Sequence, residues 1–147
     1  MREGIQTKFK HDELRVYGCY FFTLLQWAEM VHAEELSPEF NAAHKDRTDD
    51  GIINVFLACR ARGWIGNNSW IINPAEILNY CIGQRRFSKV EKVYKKPDLP
   101  IFITSVEKSK DISHFILSNP TQTVLWDCWE PKVDLTKHTV TSYRAIT

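Results

Sequence analysis

Residues 17–30 read YGCYFFTLLQWAEM, and they are the clearest indication of the fold because they predict a helix enclosed by the rest of the chain. Good helix formers run from Cys19 to about Glu35 without glycine or proline. Apolar residues recur at helical spacing, and the first half of the stretch is apolar nearly all round. We therefore expect a central, buried helix that carries a thiol at its first position.

Length, charge and cysteine spacing narrow the class of protein. The 147 residues fit one domain with one core, spanning 1–147. Nineteen Lys and Arg against eighteen Asp and Glu give no overall field that favours nucleic acid or an anionic membrane, so neither is expected as a partner. The four cysteines form no zinc-ligand pattern, so we expect no metal and no cofactor. No signal peptide or membrane span is evident, which predicts a cytoplasmic protein.

Two further helices are predicted in the first half of the chain. Asp49 or Asp50 can cap a helix that stops at Gly63, and residues 36–51 before it read as a polar connection. The next helix has Asn73 as its cap, proline at its first position, and Gly83 as its stop.

The second half of the chain changes to the two-residue alternation of strands. Strand-like runs occupy 87–96, 99–107 and 139–147, and two more surround an Asn-Pro turn at 119–120. Helices followed by strands indicate an α+β fold in which a helical half packs on an antiparallel sheet.

The hairpin around the Asn-Pro turn brings two polar residues together. If Asn119 to Gln122 form a four-residue turn, His114 lies directly opposite Asp127, with β-carbons about 5 Å apart. Lengthening the loop by one residue would instead place Cys128 opposite the histidine. In the expected register Cys128 points to the other face of the sheet, away from Asp127.

Together with Cys19, this pair could form a catalytic site. A carboxylate fixes the tautomer of an imidazole and makes it more basic, as a general base requires. A thiol in the first turn of a helix meets the positive end of the helix dipole, which favours the thiolate. Cys19, His114 and Asp127 are thus a candidate nucleophile, base and orienting acid. The alternative is a buried apolar cysteine with an unrelated surface pair.

These residues stand in segments that resemble the papain-like cysteine peptidases. The likeness is to the compact bacterial branch that includes bacteriocin-leader-processing domains. The segments that carry it, in chain order, are YGCYFFTLL, PIFITSV, SHFILSN, LWDCWEP and YRAI. The resemblance implies a papain-like fold and a Cys-His-Asp triad at Cys19, His114 and Asp127. It also implies a cysteine peptidase or amidase acting on peptide or peptidoglycan bonds.

The resemblance also directs attention to the oxyanion donor. The family normally has a glutamine about six residues before the cysteine, and here position 13 is Glu13. An ionised Glu13 would repel the developing charge, so it could donate only with a strongly raised pKa. Gln6 lies too far upstream to serve without a different loop. The same fold without activity, as a binding module, is therefore an open alternative.

Other features allow more than one interpretation. Trp64 and Trp70 flank a Gly-Asn-Asn-Ser loop and are candidates for a substrate groove or for a lid on the core. The basic stretch Arg85 to Lys96 fits an anion-binding patch, or an edge strand that lysines protect from aggregation. The two middle helices could also form a helix-turn-helix for DNA, although about ten residues join them where that motif has three or four.

Overall fold

The computed structural model describes residues 1–45 and 49–147. In that part of the chain the helices are α1 Asp12–Tyr17, α2 Cys19–Val31, α3 Pro38–Lys45, α4 Asp49–Ala61 and α5 Pro74–Ile82. The strands are β1 Val90–Val93, β2 Phe102–Ser109, β3 Ile112–Ser118, β4 Val124–Asp127 and β5 Thr139–Ile146. Short 3-10 turns lie at Ile5–Lys8 and Asn67–Ser69. The predicted α+β arrangement of helices followed by strands is confirmed.

The helix signals of the sequence act largely as expected. α2 begins at Cys19 and is buried along most of its length, although it ends at Val31, earlier than predicted. Asn73 caps α5 by accepting a hydrogen bond from Glu76 N at 3.3 Å, and Gly83 ends it in the left-handed conformation. The prediction of a polar connection over 36–51 is wrong for its described part, where α3 lies. Ser37 begins α3 by accepting a hydrogen bond from Phe40 N at 3.2 Å, and Phe40 is fully buried.

The five strands form one antiparallel sheet in the order β1-β5-β2-β3-β4. Ile103, Leu117 and Trp126 share one face of the sheet, and they pack with the helices in the main core. Val106 and Ile116 lie on the opposite face, where Val133 of the segment after β4 covers them. The helices therefore occupy one face and a loop covers the other.

The register of the β3–β4 hairpin differs from the predicted one. Asp127 pairs with Ile116 rather than with His114, so the register is shifted by two residues. The loop is longer than expected, and an irregularity lies between Leu117 and Ser118. Because side chains alternate with a period of two, His114 still shares a face with Asp127 and becomes its diagonal neighbour.

Among the described helices, none combines the length and the apolar character that a membrane crossing would need.

Candidate functional site

The first turn of α2 lies against a free section of β3. Continuing the register of Asp127 with Ile116 would pair Phe115 with Cys128, but β4 ends at Asp127. The backbone of Phe115 therefore lacks a strand partner on that side. The Thr23 hydroxyl donates to Phe115 O at 3.1 Å, and the Phe115 backbone lies close enough to the Cys19 sulfur to lower its pKa. The helix thus occupies the place that β4 leaves, and Cys19 adjoins the residue that follows His114.

A buried imidazole–carboxylate pair forms the centre of the site. His114 Nε2 lies 2.6 Å from Asp127 Oδ1, and neither side chain is exposed. Asp127 also accepts hydrogen bonds from Trp129 N at 2.9 Å and from Val133 N at 2.7 Å. Two fixed backbone donors therefore hold the carboxylate in place, and the carboxylate in turn fixes the orientation of the imidazole.

An indole covers the imidazole. The ring of Trp129 stacks on His114 with the centroids 3.7 Å apart and the planes 16° apart. The Lys108 ammonium lies 4.0 Å from the Trp129 ring centroid. The second ring nitrogen of His114, Nδ1, is buried and has no hydrogen-bond partner among the described residues. A buried ring nitrogen without a partner is costly in a purely structural pair, so it calls for an explanation.

The Cys19 thiol is held largely protonated by its surroundings. Burial raises its pKa to about 11, and the nearby Asp127 carboxylate adds to the rise. The N–H groups of Phe115, Tyr20 and Cys19 act in the opposite direction without cancelling it. The sequence predicts a thiolate favoured by the helix dipole, whereas here desolvation has the larger effect. The thiol needs a base to ionise near neutral pH.

Gln6 lies at the site although its distance along the sequence argued against it. Gly4 N donates to Asp127 O at 3.0 Å and Gln6 N donates to Cys128 O at 2.9 Å, so the N-terminal segment runs beside the end of β4. The fully buried Gln6 side chain donates to Leu14 O at 3.2 Å and accepts from Cys128 Sγ at 3.0 Å. The hydrogen bonds between the N-terminal segment and the end of β4 thus bring Gln6 close to Cys128 in spite of its distance along the sequence. No local feature of the sequence predicts this contact.

Glu13 has other partners. Its carboxylate accepts hydrogen bonds from the Arg60 guanidinium and from Ser69 N and Oγ at 2.9 and 3.0 Å. Burial by itself raises the pKa of Glu13, but these hydrogen bonds outweigh it and the net pKa is lowered. The group is therefore ionised at neutral pH and cannot donate to an oxyanion. The strongly raised pKa that Glu13 would need as an oxyanion donor is therefore not found, and the protonated form is disfavoured.

The two tryptophans named as groove candidates differ in environment. Trp64 is half-buried against the core, with its ring centroid 6.2 Å from that of Tyr80. Trp70 is 73% exposed and follows the Asn67–Ser69 turn that Glu13 holds. The position of Trp64 therefore fits a lid on the core, which is one of the two interpretations of this residue. Trp70 lies on a surface next to α1, the helix that leads into Cys19.

Cys128 also departs from its predicted position. The sulfur of Cys128, a ring nitrogen of His114 and a carboxylate oxygen of Asp127 all lie within 4.8 Å of one another. The prediction that Cys128 points away from Asp127 is wrong, because β4 ends at Asp127 and strict alternation stops with it. These three donors are the described residues best arranged to hold a metal ion, although the imidazole–carboxylate hydrogen bond already uses two of them.

The basic stretch Arg85 to Lys96 includes β1, which is an edge strand of the sheet. Lysines on an exposed edge discourage pairing with other chains, and the position fits that interpretation. Arg86 forms an ion pair with Glu35, and Lys89 with Glu91. Part of the positive charge is therefore compensated within the protein.

The protein is thus an α+β domain in which a cysteine that begins a helix adjoins an antiparallel sheet, and that sheet bears a buried His–Asp pair. The chain belongs to DUF261, a family described as a protein of unknown function, whose family model matches residues 4–147. No curated protein and no solved structure is significantly similar to the chain.

Proposed function

We propose that this protein is a papain-like cysteine peptidase or amidase that acts through Cys19, His114 and Asp127. The observation that supports the proposal is the hydrogen bonding of the two ring nitrogens of His114. Its Nε2 is bonded to a fixed carboxylate, while its Nδ1 is buried and has no hydrogen-bond partner among the described residues. The next residue along the chain, Phe115, interacts through its backbone with Cys19. An imidazole oriented on one side and free on the other is arranged to accept a proton.

The reaction would proceed through an acyl-thioester. His114 Nδ1 takes the thiol proton as the Cys19 sulfur attacks the carbonyl carbon, and the new S–C bond forms. The C–N bond then breaks, and the imidazolium gives its proton to the leaving amine. Water, deprotonated by the same imidazole, attacks the thioester and releases the acid and the thiol. Asp127 stays ionised throughout and stabilises the imidazolium.

Two donors are available for the oxyanion. One is the backbone N–H of Cys19, which lies in the first turn of α2. The Gln6 amide is anchored between Leu14 O and Cys128 Sγ, and it belongs to a side chain that is fully buried at the site. We assign the second donor to Gln6 in place of Glu13. Such preorganised donors are worth about 100-fold or more in rate for acyl transfer.

Peptide or peptidoglycan amides are the substrates we propose, and no cofactor enters the mechanism. We place the protein in the cytoplasm, because all four cysteines are free and a reducing compartment keeps thiols in that state.

A second candidate is a binding module that keeps the papain-like fold without activity. The raised pKa of Cys19, about 11, favours it, because a thiol buried in this way is normally inert. The two candidates differ in whether His114 activates the sulfur. They can therefore be separated without knowledge of the substrate.

Alkylation by iodoacetamide, followed residue by residue with mass spectrometry, provides the test. At pH 6 a thiol of pKa about 11 is ionised to only about one part in 10⁵, against roughly one part in 300 for a model thiol. We expect Cys19 to react at least as fast as the model thiol, and His114→Ala to slow it about 100-fold. Buried Cys59 is the internal control, and His138→Ala is the control variant. A Cys19 rate that follows the raised pKa alone and ignores His114→Ala would refute the proposal.

A further inference from the structure

Arg144 of β5 lies next to the segment that carries Cys19. Its guanidinium is 5.0 Å from the ring centroid of Phe115 and 5.6 Å from that of Tyr20, the residue after the cysteine. The rings of Tyr20 and Phe115 stack on each other at 4.3 Å. A guanidinium that rests on aromatic faces keeps its planar edge available for hydrogen bonds.

Arg144 has no carboxylate partner in the described part of the chain. Its NH1 donates to Ser142 Oγ and to Tyr143 O, both at 3.1 Å. Both acceptors are neutral, so the positive charge is oriented but not compensated. Burial raises the pKa of the Tyr20 hydroxyl, and the nearby Arg144 guanidinium opposes that rise. The protonated Tyr20 hydroxyl can donate a hydrogen bond to an anion near Arg144.

A second cation faces Arg144 across the strands. Lys92 of β1 is the register partner of Arg144 in β5. Lys89 and Thr147 exchange both backbone hydrogen bonds, at 3.1 and 3.0 Å, and the alternation of an antiparallel ladder makes Lys92 with Arg144 a closely spaced, non-hydrogen-bonded pair. Like charges directly opposite each other on a sheet destabilise it. No described acid forms an ion pair with either residue, so an anion between them would relieve the repulsion.

We propose that Arg144, Lys92 and the Tyr20 hydroxyl form a binding site for a carboxylate of the substrate, next to the nucleophile. The planar fork of Arg144 suits the two oxygens of a carboxylate, and Lys92 adds a point charge. This inference rests on the proposed function and adds to it a substrate class: peptides or related amides with an acidic residue near the bond that is cleaved. It also gives one residue of the basic stretch Arg85 to Lys96 a specific role.

Binding measured without turnover tests the site. The Cys19→Ser variant, labelled with ¹⁵N, is titrated with the peptides Ac-Ala-Glu-Ala-NH₂ and Ac-Ala-Gln-Ala-NH₂, which differ in charge at one side chain. We expect the Glu peptide to bind at least about tenfold more tightly, as charge-assisted hydrogen bonds require. Its binding should shift the Arg144 Nε–H and Ser142 N–H signals. Equal affinities for the two peptides would overturn the proposal.

Substitutions in the same background locate the effect. Arg144→Gln should abolish the preference for the Glu peptide, and Arg144→Lys should retain part of it. Lys92→Gln should weaken it, whereas Lys95→Gln, which removes an exposed cation of the same stretch, should leave it unchanged. An equal loss with Lys95→Gln would mean that only the general basic character matters, and it would overturn the site.

Two further measurements keep the outcomes distinct. Inorganic phosphate is titrated as a competitor, and tighter binding of phosphate than of the Glu peptide would overturn the carboxylate assignment. Lys92→Gln should also raise the melting temperature of the unliganded protein at low salt, because it removes the repulsion between Lys92 and Arg144. This measurement needs no ligand. A reactive Cys19 without a preference for the Glu peptide refutes this inference alone. An unreactive Cys19 with that preference intact refutes only the proposed hydrolase.

Discussion

Replacing Gly18 by alanine tests the connection between α1 and α2 that positions Cys19. Gly18 has a φ of −83°, so an alanine meets no backbone strain there. Its β-carbon, however, would lie well inside contact distance of the Leu14 carbonyl oxygen and 3.0 Å from a ring carbon of Phe22. The requirement for glycine is therefore steric.

Neither neighbour can move freely. Leu14 O accepts hydrogen bonds from Gly18 N at 2.9 Å and from Gln6 Nε2 at 3.2 Å. The Phe22 ring is fully buried and packs on Phe9 with centroids 4.9 Å apart. Overpacking of a rigid core costs up to about 3 kcal/mol, and we expect Gly18→Ala to lie near that value. For a chain of this length the melting temperature should fall by roughly 6–12 °C.

Gly63→Ala is the matched control. Gly63 has a φ of +80°, and no atom of the described residues lies within 4 Å of a β-carbon built there. Its cost is the left-handed conformation alone, about 1 kcal/mol. Urea denaturation followed by circular dichroism measures both variants against the wild type. A Gly18→Ala variant that loses no more stability than Gly63→Ala would refute the steric argument and with it the fixed approach of Cys19 to β3.

Two other predictions concern contacts around the site. Glu13→Gln should lower the free energy of unfolding by less than about 1 kcal/mol at pH 7, because the ion pair with Arg60 is partly exposed. Since the folded pKa of Glu13 is lowered, this stabilisation is present above the unfolded pKa and disappears as pH falls through the folded one. A difference that persisted at acid pH would contradict this. Thr23→Val removes the hydroxyl that lies between Cys19 O and Phe115 O, and it should lower the free energy of unfolding by about 1 kcal/mol in the same denaturation assay. Thr121→Val, on an exposed turn, is the control and should change it little.

Local signals in the sequence account for much of the fold. The cap at Asn73, the stop at Gly83 and the unbroken apolar run after Cys19 act over a few residues, so they can be read without knowledge of the rest of the chain. The sequence does not predict the helix Pro38–Lys45, because Phe40 is its only large apolar residue. Phe40 is fully buried, and this packing against the rest of the protein stabilises the helical conformation of the segment.

The pairing of His114 with Asp127 was predicted for the right face but in the wrong register. Alternation along a strand fixes the face of each side chain, and an error of two residues leaves it unchanged. The position of Cys128 was missed because alternation ends where the strand ends, and strand ends depend on what packs beside them.

The order of the elements, and which side chains of a strand share a face, can be predicted from the sequence because both follow from periodicities of two and 3.6 residues. Which distant segments meet depends on how the whole chain packs. This packing brings Gln6 beside Cys128 and pairs the Glu13 carboxylate with the Arg60 guanidinium. It also places Arg144 opposite Lys92 in the sheet. It also gave Cys19 a raised pKa in place of the lowered one that its helix position predicts, because desolvation depends on everything packed around a group and helix position does not record it.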